Sequence, residues 1–273
     1  MCKMLEVSRS GYFSWSSNGR AEKRKAADED LLQTIRKLYA AGRGAYGSPR
    51  ILRDLKELGI KCGKNRLERL MRENGIKAKT KKKFKVTTDS KHTLPVCDNI
   101  VARNFSPLAP NQLWLGDITY IWTRSGWLYL AAVMDAYSRK IVGWCMRERM
   151  SKELVLDALV MAYKRQNPGR GLVFHSDRGS QYASHEYQQR LWRYGMVGSM
   201  SRKGNCWDNA PMESFFHTLK TEHIFFEDFQ TRTKAKESIF EWIEVFYNRE
   251  RRHSTLGYVS PECYERQLMA KYA

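Results

Sequence analysis

The first third of the chain carries apolar residues at helical spacing. Between residues 31 and 39 leucine, isoleucine and tyrosine recur on one helix face, after the acidic stretch Asp28-Glu29-Asp30 that suits a helix N-terminus. A second pattern begins at Ser48-Pro49, where a capping hydroxyl precedes a proline at the first helical position, and it ends at Gly59. These patterns predict two helices, and residues 7–15 predict a further short one.

A third apolar set makes this region a candidate helix-turn-helix. Leu67, Leu70 and Met71 follow a short turn, and their pattern stops at Asn74-Gly75. The outer face of this helix carries four basic residues, which are Lys64, Arg66, Arg69 and Arg72. We predict that these residues contact DNA; the alternative is that they only solvate the helix surface.

Beyond the prolines at 107 and 110 the pattern changes to strands. Residues 113–122 and 127–134 are rich in β-branched and aromatic residues, which predicts adjacent strands joined near Ser125-Gly126. A third strand is predicted at 141–146 and a helix at 152–165. The remaining predicted elements are a strand at 172–174, a helix at 185–194, a strand at 196–199, and helices at 211–221 and 233–247. This order predicts an α/β fold, with helices on both faces of a mixed sheet.

A basic, polar stretch separates the two patterns. Residues 79–93 are lysine-rich, include Lys81, Lys82 and Lys83, and contain too little apolar surface to pack. We expect this stretch to lie along DNA phosphates. The predicted organisation is therefore a small all-α, basic helix-turn-helix domain at 1–78, a basic linker at 79–103 and an α/β core at 104–270.

The charge balance favours a polyanionic partner. The formal net charge is +19, and residues 1–95 carry 24 Lys and Arg against 10 Asp and Glu, a charge of +14. Such an excess suits nucleic acid better than a neutral metabolite. The six cysteines include no Cys-x-x-Cys pair, which argues against a zinc knuckle or a disulfide framework. No apolar run approaches the roughly 20 residues of a membrane span, so we expect a soluble, cytoplasmic protein.

Three acidic residues stand at positions suited to chemistry. Asp117 lies inside a predicted strand, Asp177 directly follows the apolar strand at 172–174, and Glu213 lies in the first helical turn after Pro211. A loop hydrogen bond for Asp117 and helix capping by Glu213 are the structural alternatives. If the three carboxylates converge, their repulsion requires hard cations such as Mg²⁺ or Mn²⁺. Two ions roughly 4 Å apart would support in-line phosphodiester displacement.

Further polar residues are candidates for supporting roles. Lys220 stands seven residues after Glu213, on the same helix face, where its ammonium could hold a phosphate. Metal ligands need oriented neighbours, and the candidates for contacts to the metal ligands or to the substrate are His175, Asp208 and Asn209. Asp135 ends a predicted strand and could approach the site, but turn formation explains it equally well, so it is not among the catalytic candidates.

Several motifs together resemble one family. They are Trp114-x-x-Asp117-Ile118-Thr119-Tyr120, His175-Ser176-Asp177-Arg178-Gly179-Ser180-Gln181-Tyr182 and Asp208-Asn209-Ala210-x-x-Glu213, with 35 residues between Asp177 and Glu213. They resemble the bacterial insertion-sequence OrfB transposases. The stretches Tyr46-Gly47-Ser48-Pro49-Arg50 and Tyr247-Asn248-x-x-Arg251-x-His253-x-x-Leu256-Gly257-Tyr258-x-x-Pro261 resemble the same family, so the likeness covers nearly the whole chain.

The resemblance implies a retroviral-integrase-like, ribonuclease-H-like core in which Asp117, Asp177 and Glu213 bind the metals. It implies a transposase that cleaves double-stranded DNA at element ends and transfers the strand into target DNA. It also implies a homo-oligomer on DNA, and an upstream-frame OrfA-type segment, which this chain, beginning at Met1, is expected to lack.

Other functions stay open from the residues alone. The basic helices also fit a non-catalytic DNA-binding regulator, and a carboxylate centre also fits a nuclease that cuts without joining. Hydrolysis by a Ser/His/Asp triad in His175-Ser176-Asp177 is a weaker hypothesis, because neighbours along a chain rarely form a triad.

Overall fold

Two compact units make up the protein, Met1–Thr80 and Lys81–Ala273. The structure is a computed structural model, and it describes residues 2, 4–16, 19–79, 96–202 and 205–272. Among these residues no helix is both long and apolar enough to cross a membrane.

The first unit is helical. Its helices are α1 (Arg9–Ser16), α2 (Gly19–Ala41), α3 (Ser48–Glu57) and α4 (Lys64–Glu73). The apolar residues that predicted α2 to α4 form its buried core, which includes Leu31, Leu32, Ile35, Ile51, Leu55, Leu67, Leu70 and Met71. Gly59 and Gly75 follow α3 and α4 with φ of +73° and +67°, a conformation that glycine adopts without strain. The predicted all-α unit is confirmed.

One predicted detail of this unit is wrong. Ser48 does not cap α3, because Gly47 occupies the N-cap position and no side chain caps the helix. The Ser48 hydroxyl instead donates to Glu68 Oε1 at 3.1 Å. It therefore links α3 to α4, while Pro49 lies in the first turn as predicted.

The second unit is built on a five-stranded sheet. Its strands are β1 (Leu113–Thr123), β2 (Gly126–Asp135), β3 (Ile141–Arg147), β4 (Val173–Ser176) and β5 (Val197–Met200), in the order β3-β2-β1-β4-β5. The first three strands are antiparallel neighbours, whereas β4 runs parallel to both β1 and β5. This is the predicted mixed sheet.

Helices cover the sheet. They are α5 (Lys152–Gln166), α6 (Ser180–Ala183), α7 (His185–Arg193), α8 (Ala210–Glu222), α9 (Arg232–Glu241) and α10 (Pro261–Tyr272). A π-helical stretch, Trp242–Glu250, continues α9, and a short 3₁₀ turn, Cys206–Asn209, precedes α8. On one sheet face Trp114 and Val133 pack with Leu154 and Ala158 of α5. Successive residues of β2 point to opposite faces, and residues 130–135 are all buried, so both faces are covered.

The packing of β3 on α5 leaves no room for a side chain at Gly143. A Cβ atom there would lie 2.3 Å from the carbonyl oxygen of Ala158 and 2.7 Å from Ala162 Cβ. We expect Gly143→Ala to lower the free energy of unfolding by about 1–3 kcal/mol through overpacking, as measured by urea denaturation. Gly169→Ala is the matched control, since its Cβ would have no neighbour within 4 Å. Equal stability of the two variants would contradict this account.

Candidate active site

Two of the three predicted carboxylates come from neighbouring parallel strands. Leu115 of β1 pairs with His175 of β4, and Asp117 and Asp177 each stand two residues beyond that pair. Side chains two residues apart point the same way and paired strands lie about 4.8 Å apart, so both aspartates occupy neighbouring positions on one face. Burial first, and then the negative charge of Asp177, raise the pKa of Asp117 well above its ordinary value.

The third carboxylate, Glu213, lies on the first turn of α8. Asn209 occupies the N-cap position of that helix without a side-chain capping bond, and its Nδ2 donates to the carbonyl oxygen of Gly116 at 3.1 Å, which anchors the start of α8 beside β1. Burial raises the pKa of Glu213, and the charge of Glu213 contributes to the raised pKa of Asp117. The structure therefore brings all three acids into one electrostatic neighbourhood, where each is half-buried.

The three acids do not yet form a coordination cluster. Within the described ranges, no group of three His, Cys, Asp or Glu side chains is arranged to hold a metal ion. The Oδ1 atom of Asp117 instead accepts a hydrogen bond from the backbone N–H of Ile118 at 2.7 Å, and Asp177 Oδ1 accepts one from Gly179 at 2.9 Å. The assignment of metal ligands therefore stays a prediction.

Asn209 offers a further oxygen beside the acids. Its side chain is 5% exposed, and its Oδ1 atom is buried with no hydrogen-bond partner among the described residues. An unsatisfied buried acceptor is rare and needs an explanation. A water molecule or cation at the acids would supply the missing partner.

The ring of Tyr182 is a neighbour of both aspartates that sequence reasoning missed. Burial, with smaller effects from Tyr187, Asp117 and Asp177, raises the pKa of Tyr182 well above its ordinary value. A Cβ atom on Gly116 would lie 2.6 Å from the Phe174 ring and 3.4 Å from Tyr182. Glycine at 116 thus permits the close approach of β1 to these rings. The only sequence signal was the position of Tyr182 at the end of the motif around Asp177.

His175 is fully buried under the site. Its Nδ1 lies 2.9 Å from Ser199 Oγ and its Nε2 lies 2.9 Å from the carbonyl oxygen of Asp208. Burial lowers the pKa of His175, which favours the neutral ring. With both ring nitrogens engaged, His175 ties β4 to β5 and to the turn before α8.

Asp208 is buried, and its carboxylate is the centre of an ion-pair cluster with two exposed arginines. Its carboxylate accepts from Arg202 Nε and NH2, both at 2.9 Å, from Arg103 Nε at 2.9 Å and from Asn99 Nδ2 at 3.0 Å. These partners, Arg202 above all, hold the pKa of Asp208 well below its usual range. Asn99 and Arg103 fall in the linker that the sequence predicts at residues 79–103. In the structure they bind Asp208 and so fix the turn that precedes α8. Sequence reasoning missed both, because nothing local marks such a distant contact.

The Asp208 cluster predicts a supporting role in catalysis. Asp208→Asn replaces a carboxylate oxygen by an N–H₂ donor that faces two guanidinium groups, which should loosen the turn and displace Asn209 and Glu213. For the predicted metal-binding acids we expect DNA joining to slow by about 10- to 100-fold, the usual cost of changing a residue that orients a metal ligand. The measurement is the rate of joined product at several Mg²⁺ concentrations.

Asp157→Asn is the control for this variant, because Asp157 pairs with Arg147 on the exposed surface away from the turn. An Asp208→Asn protein that joins DNA at the rate of Asp157→Asn would overturn the role given to the cluster.

Lys220 shares its helix face with Glu213 and is 6% exposed. Its Nζ lies 4.7 Å from the centroid of the Tyr120 ring. Burial lowers the pKa of Lys220 to about 8, and the nearby charge of Asp117 acts in the opposite direction. The ammonium group is thus held beside β1, close to Asp117.

The basic face of α4 is partly engaged within the first unit. Arg66 and Arg69 both pair with Asp28 of α2 at 2.6 Å, and they hold the pKa of Asp28 below its usual value. Lys64 lies 3.8 Å from Glu68, while Arg72 is exposed. DNA contact by these four residues stays a prediction, and Lys81, Lys82 and Lys83 lie outside the described residues.

Comparison with known proteins identifies the family. Residues 107–206 and 194–261 each match a model of an integrase core domain, and residues 25–84 match an HTH-like domain. The chain is 48% identical to the insertion element IS600 uncharacterized 31 kDa protein of Shigella sonnei, over 97% of both chains. It is 41% identical to transposase InsF for insertion sequence IS3A of Escherichia coli K12, over 99% of this chain and 94% of that one.

A solved structure shares the fold. In the simian T-cell lymphotropic virus intasome bound to PP2A regulatory subunit B56 gamma, one chain matches with a TM-score of 0.51 and 17% identity, over 80% of this chain and 74% of that chain. Integrase and transposase cores of this kind are polynucleotidyl transferases. The chain therefore belongs to the insertion-sequence transposases related to InsF, and it is a transposase with an integrase core and a helix-turn-helix-like domain.

Proposed function

We propose that Asp117, Asp177 and Glu213 are the metal-binding catalytic triad of this transposase. The observation that supports the proposal is the pairing of Leu115 with His175, each two residues before one of the aspartates, together with the effect of Asp177 on the pKa of Asp117. Glu213 is close enough to raise the pKa of Asp117. Half-buried acids that repel one another are unfavourable without a counter-charge.

The donor set fits two Mg²⁺ or Mn²⁺ ions. All candidate ligands are oxygens, which these hard cations prefer, and the unpartnered Oδ1 of Asn209 adds an acceptor at the same place. Asp117, Asp177 and Glu213 would hold the ions with their carboxylate oxygens. When bound, the ions would polarise the phosphodiester and activate the attacking oxygen.

The residues of the chain would then position the reactants for two successive displacements at phosphorus. In the first, water attacks the phosphorus at the element end, a P–O bond forms, and the bond to the departing 3′ oxygen breaks. In the second, the freed 3′-hydroxyl attacks a phosphodiester of the target DNA, and a target 3′-hydroxyl leaves. The Lys220 ammonium would bind a non-bridging phosphate oxygen, while His175 and Asp208 hold the turn that ends at Asn209 and leads into α8 with Glu213.

The working assembly is proposed to contain more than this chain. The helix-turn-helix unit would supply salt-sensitive phosphate contacts to double-stranded DNA. A homo-oligomer would bring two element ends and the target together, and an OrfA-type segment would contribute end recognition.

A strand-joining assay tests the proposal. Labelled element ends are incubated with supercoiled plasmid and Mg²⁺ or Mn²⁺, with and without an OrfA-type segment. Labelled ends joined covalently to plasmid are the expected product, and EDTA should prevent it. Cut ends that are never joined would favour a simple nuclease, and binding without any cutting would favour a regulator.

A further inference from the structure

The hairpin of β1 and β2 carries a row of aromatic side chains that the proposed chemistry does not use. The rings of Tyr120 and Trp127 meet edge to face with centroids 5.1 Å apart, and those of Trp122 and Trp127 do so at 4.9 Å. We call these three residues the aromatic row. Trp122 is 59% exposed and Trp127 is 43% exposed, so both indoles present much of their surface to solvent.

The aromatic row begins beside the candidate active site. Tyr120 stands three residues after Asp117 on β1, so the two side chains leave the strand on opposite faces. The link between them is Lys220, whose ammonium lies over the Tyr120 ring and close enough to Asp117 for that charge to affect its pKa. Trp122 and Trp127 are partners in the β1–β2 register, and Tyr120 is two residues from Trp122. Residues at this spacing point to the same side of a strand. The row therefore runs along one face of the hairpin, away from the acids.

The tip of the hairpin is held in place by its neighbours. Three hydrogen bonds fasten it to the segment that leads into α9: Arg124 N to Phe229 O at 2.9 Å, Ser125 Oγ to Gln230 O at 3.1 Å and Arg232 Nε to Trp127 O at 3.1 Å. A fourth, Thr123 Oγ1 to Gly126 O at 2.6 Å, closes the turn itself. Because the hairpin tip is fixed in this way, the two indoles lose little conformational freedom when they bind a ligand. They are suited to receive flat, apolar groups.

A purely structural role explains only part of this arrangement. A cross-strand tryptophan pair does stabilise a hairpin, yet the pair leaves more than half of Trp122 in water. Exposed aromatic rings combined with a cation that binds phosphate are the means by which proteins hold single-stranded nucleic acid. Paired bases inside a duplex are already stacked on each other, so only unpaired bases can use the indole faces.

We propose that the aromatic row stacks unpaired bases of the DNA strand that leaves the candidate active site. This inference rests on the proposed function, because the position of the scissile phosphate is taken from the triad. Trp122 lies five residues beyond Asp117, about 17 Å along an extended strand. At about 3.4 Å per nucleotide along a DNA strand, the indoles would meet bases about five nucleotides from the scissile phosphate.

A binding experiment separates this proposal from the chemistry. The Trp122→Ala/Trp127→Ala double variant is made in an Asp177→Asn background, so that no strand is cut. Affinity is measured by fluorescence anisotropy for a blunt element end and for the same end with an eight-nucleotide single-stranded extension. We expect about 10-fold weaker binding of the extended end, within the range that base stacking on aromatic residues supports. Binding of the blunt end should stay within about twofold.

Two further variants test whether stacking at these two positions causes the loss of affinity. Trp122→Phe/Trp127→Phe keeps a stacking face and should retain most of the affinity for the extended end. Trp192→Ala removes another exposed tryptophan, 78% exposed on α7, and should bind like the parent. Equal losses on both DNAs, or Phe variants as weak as Ala variants, would overturn the proposal. So would a change in association state without DNA, which would indicate a protein interface.

The wild-type protein allows a test that does not depend on folding of a variant. DNA ends carrying 5-iodouracil at successive single-stranded positions are photo-crosslinked in Ca²⁺, and the adducts are located by mass spectrometry. Crosslinks to Trp122 or Trp127, strongest about five nucleotides from the scissile phosphate, are expected. Crosslinks that spare both tryptophans at every position would refute the proposal, whether or not the triad proves to be catalytic.

Discussion

Asp177→Asn is expected to abolish both DNA cleavage and DNA joining while DNA affinity stays unchanged. The substitution keeps the size of the side chain but removes the charge of one acid of the proposed triad, directly after β4. Metal polarisation contributes several kcal/mol to such reactions, so we expect a loss of at least about 10³-fold in rate. The measurement is the strand-joining assay on labelled ends, with anisotropy reporting DNA affinity in parallel.

The control for this prediction is Asp30→Asn, which changes an exposed aspartate of α2 and should leave joining intact.

Asp117→Asn supplies a second readout, the melting temperature. Because the folded state raises the pKa of Asp117, the charged carboxylate costs stability as the pH rises above about 4. In metal-free buffer at pH 7 the parent protein, which keeps Asp117, should therefore melt at a lower temperature than the Asp117→Asn variant. Full joining activity in Asp177→Asn would refute the triad.

Arg251→Met is expected to cause the largest loss of stability. Arg251 Nε and NH2 donate to the two carboxylate oxygens of Glu222 at 2.6 and 2.7 Å, and the side chains are only 5% and 11% exposed. Glu222 ends α8, the helix that carries Glu213 and Lys220. Removing one partner leaves a buried charge, which typically costs about 3–5 kcal/mol. Urea denaturation followed by tryptophan fluorescence measures the change.

Two comparisons isolate the buried pair. Arg251→Met/Glu222→Met removes both charges and should recover most of the lost stability, because an apolar pair needs no counter-ion. Arg53→Ala breaks a pair with Glu57 in which both side chains are more than 40% exposed, and it should change stability by no more than about 1 kcal/mol. A small effect of Arg251→Met, equal to that of Arg53→Ala, would contradict the argument.

The elements of the fold were predictable because their signals are local. The helices around Ile35, Ile51 and Leu67 follow from apolar residues that recur on one face, and all three side chains are fully buried. The strands β1 to β3 follow from β-branched and aromatic runs. The pairing that unites Asp117 with Asp177 was not predictable from spacing, because it depends on the register between strands far apart in the chain. Only the family resemblance pointed to it.

Other features needed the folded chain for the same reason. Arg103 and Asn99 reach Asp208 across more than a hundred positions, and no local pattern records such a contact. The prediction that Ser48 caps α3 was wrong, because its hydroxyl donates to Glu68 of α4 instead. The burial of Lys220 also depends on where α8 lies, whereas its place on the same face as Glu213 followed from helical periodicity.

The order of β1, β4 and α8 along the chain has a consequence during protein synthesis. The proposed triad takes Asp117 from β1, Asp177 from the position directly after β4 and Glu213 from α8, and β1 is translated long before α8. A ribosome-bound or prematurely terminated chain that ends before the Cys206–Asn209 turn lacks both Glu213 and the Asn209 anchor to Gly116. Incomplete copies of this enzyme are therefore expected to be harmless to the host chromosome, even when they retain the DNA-binding unit.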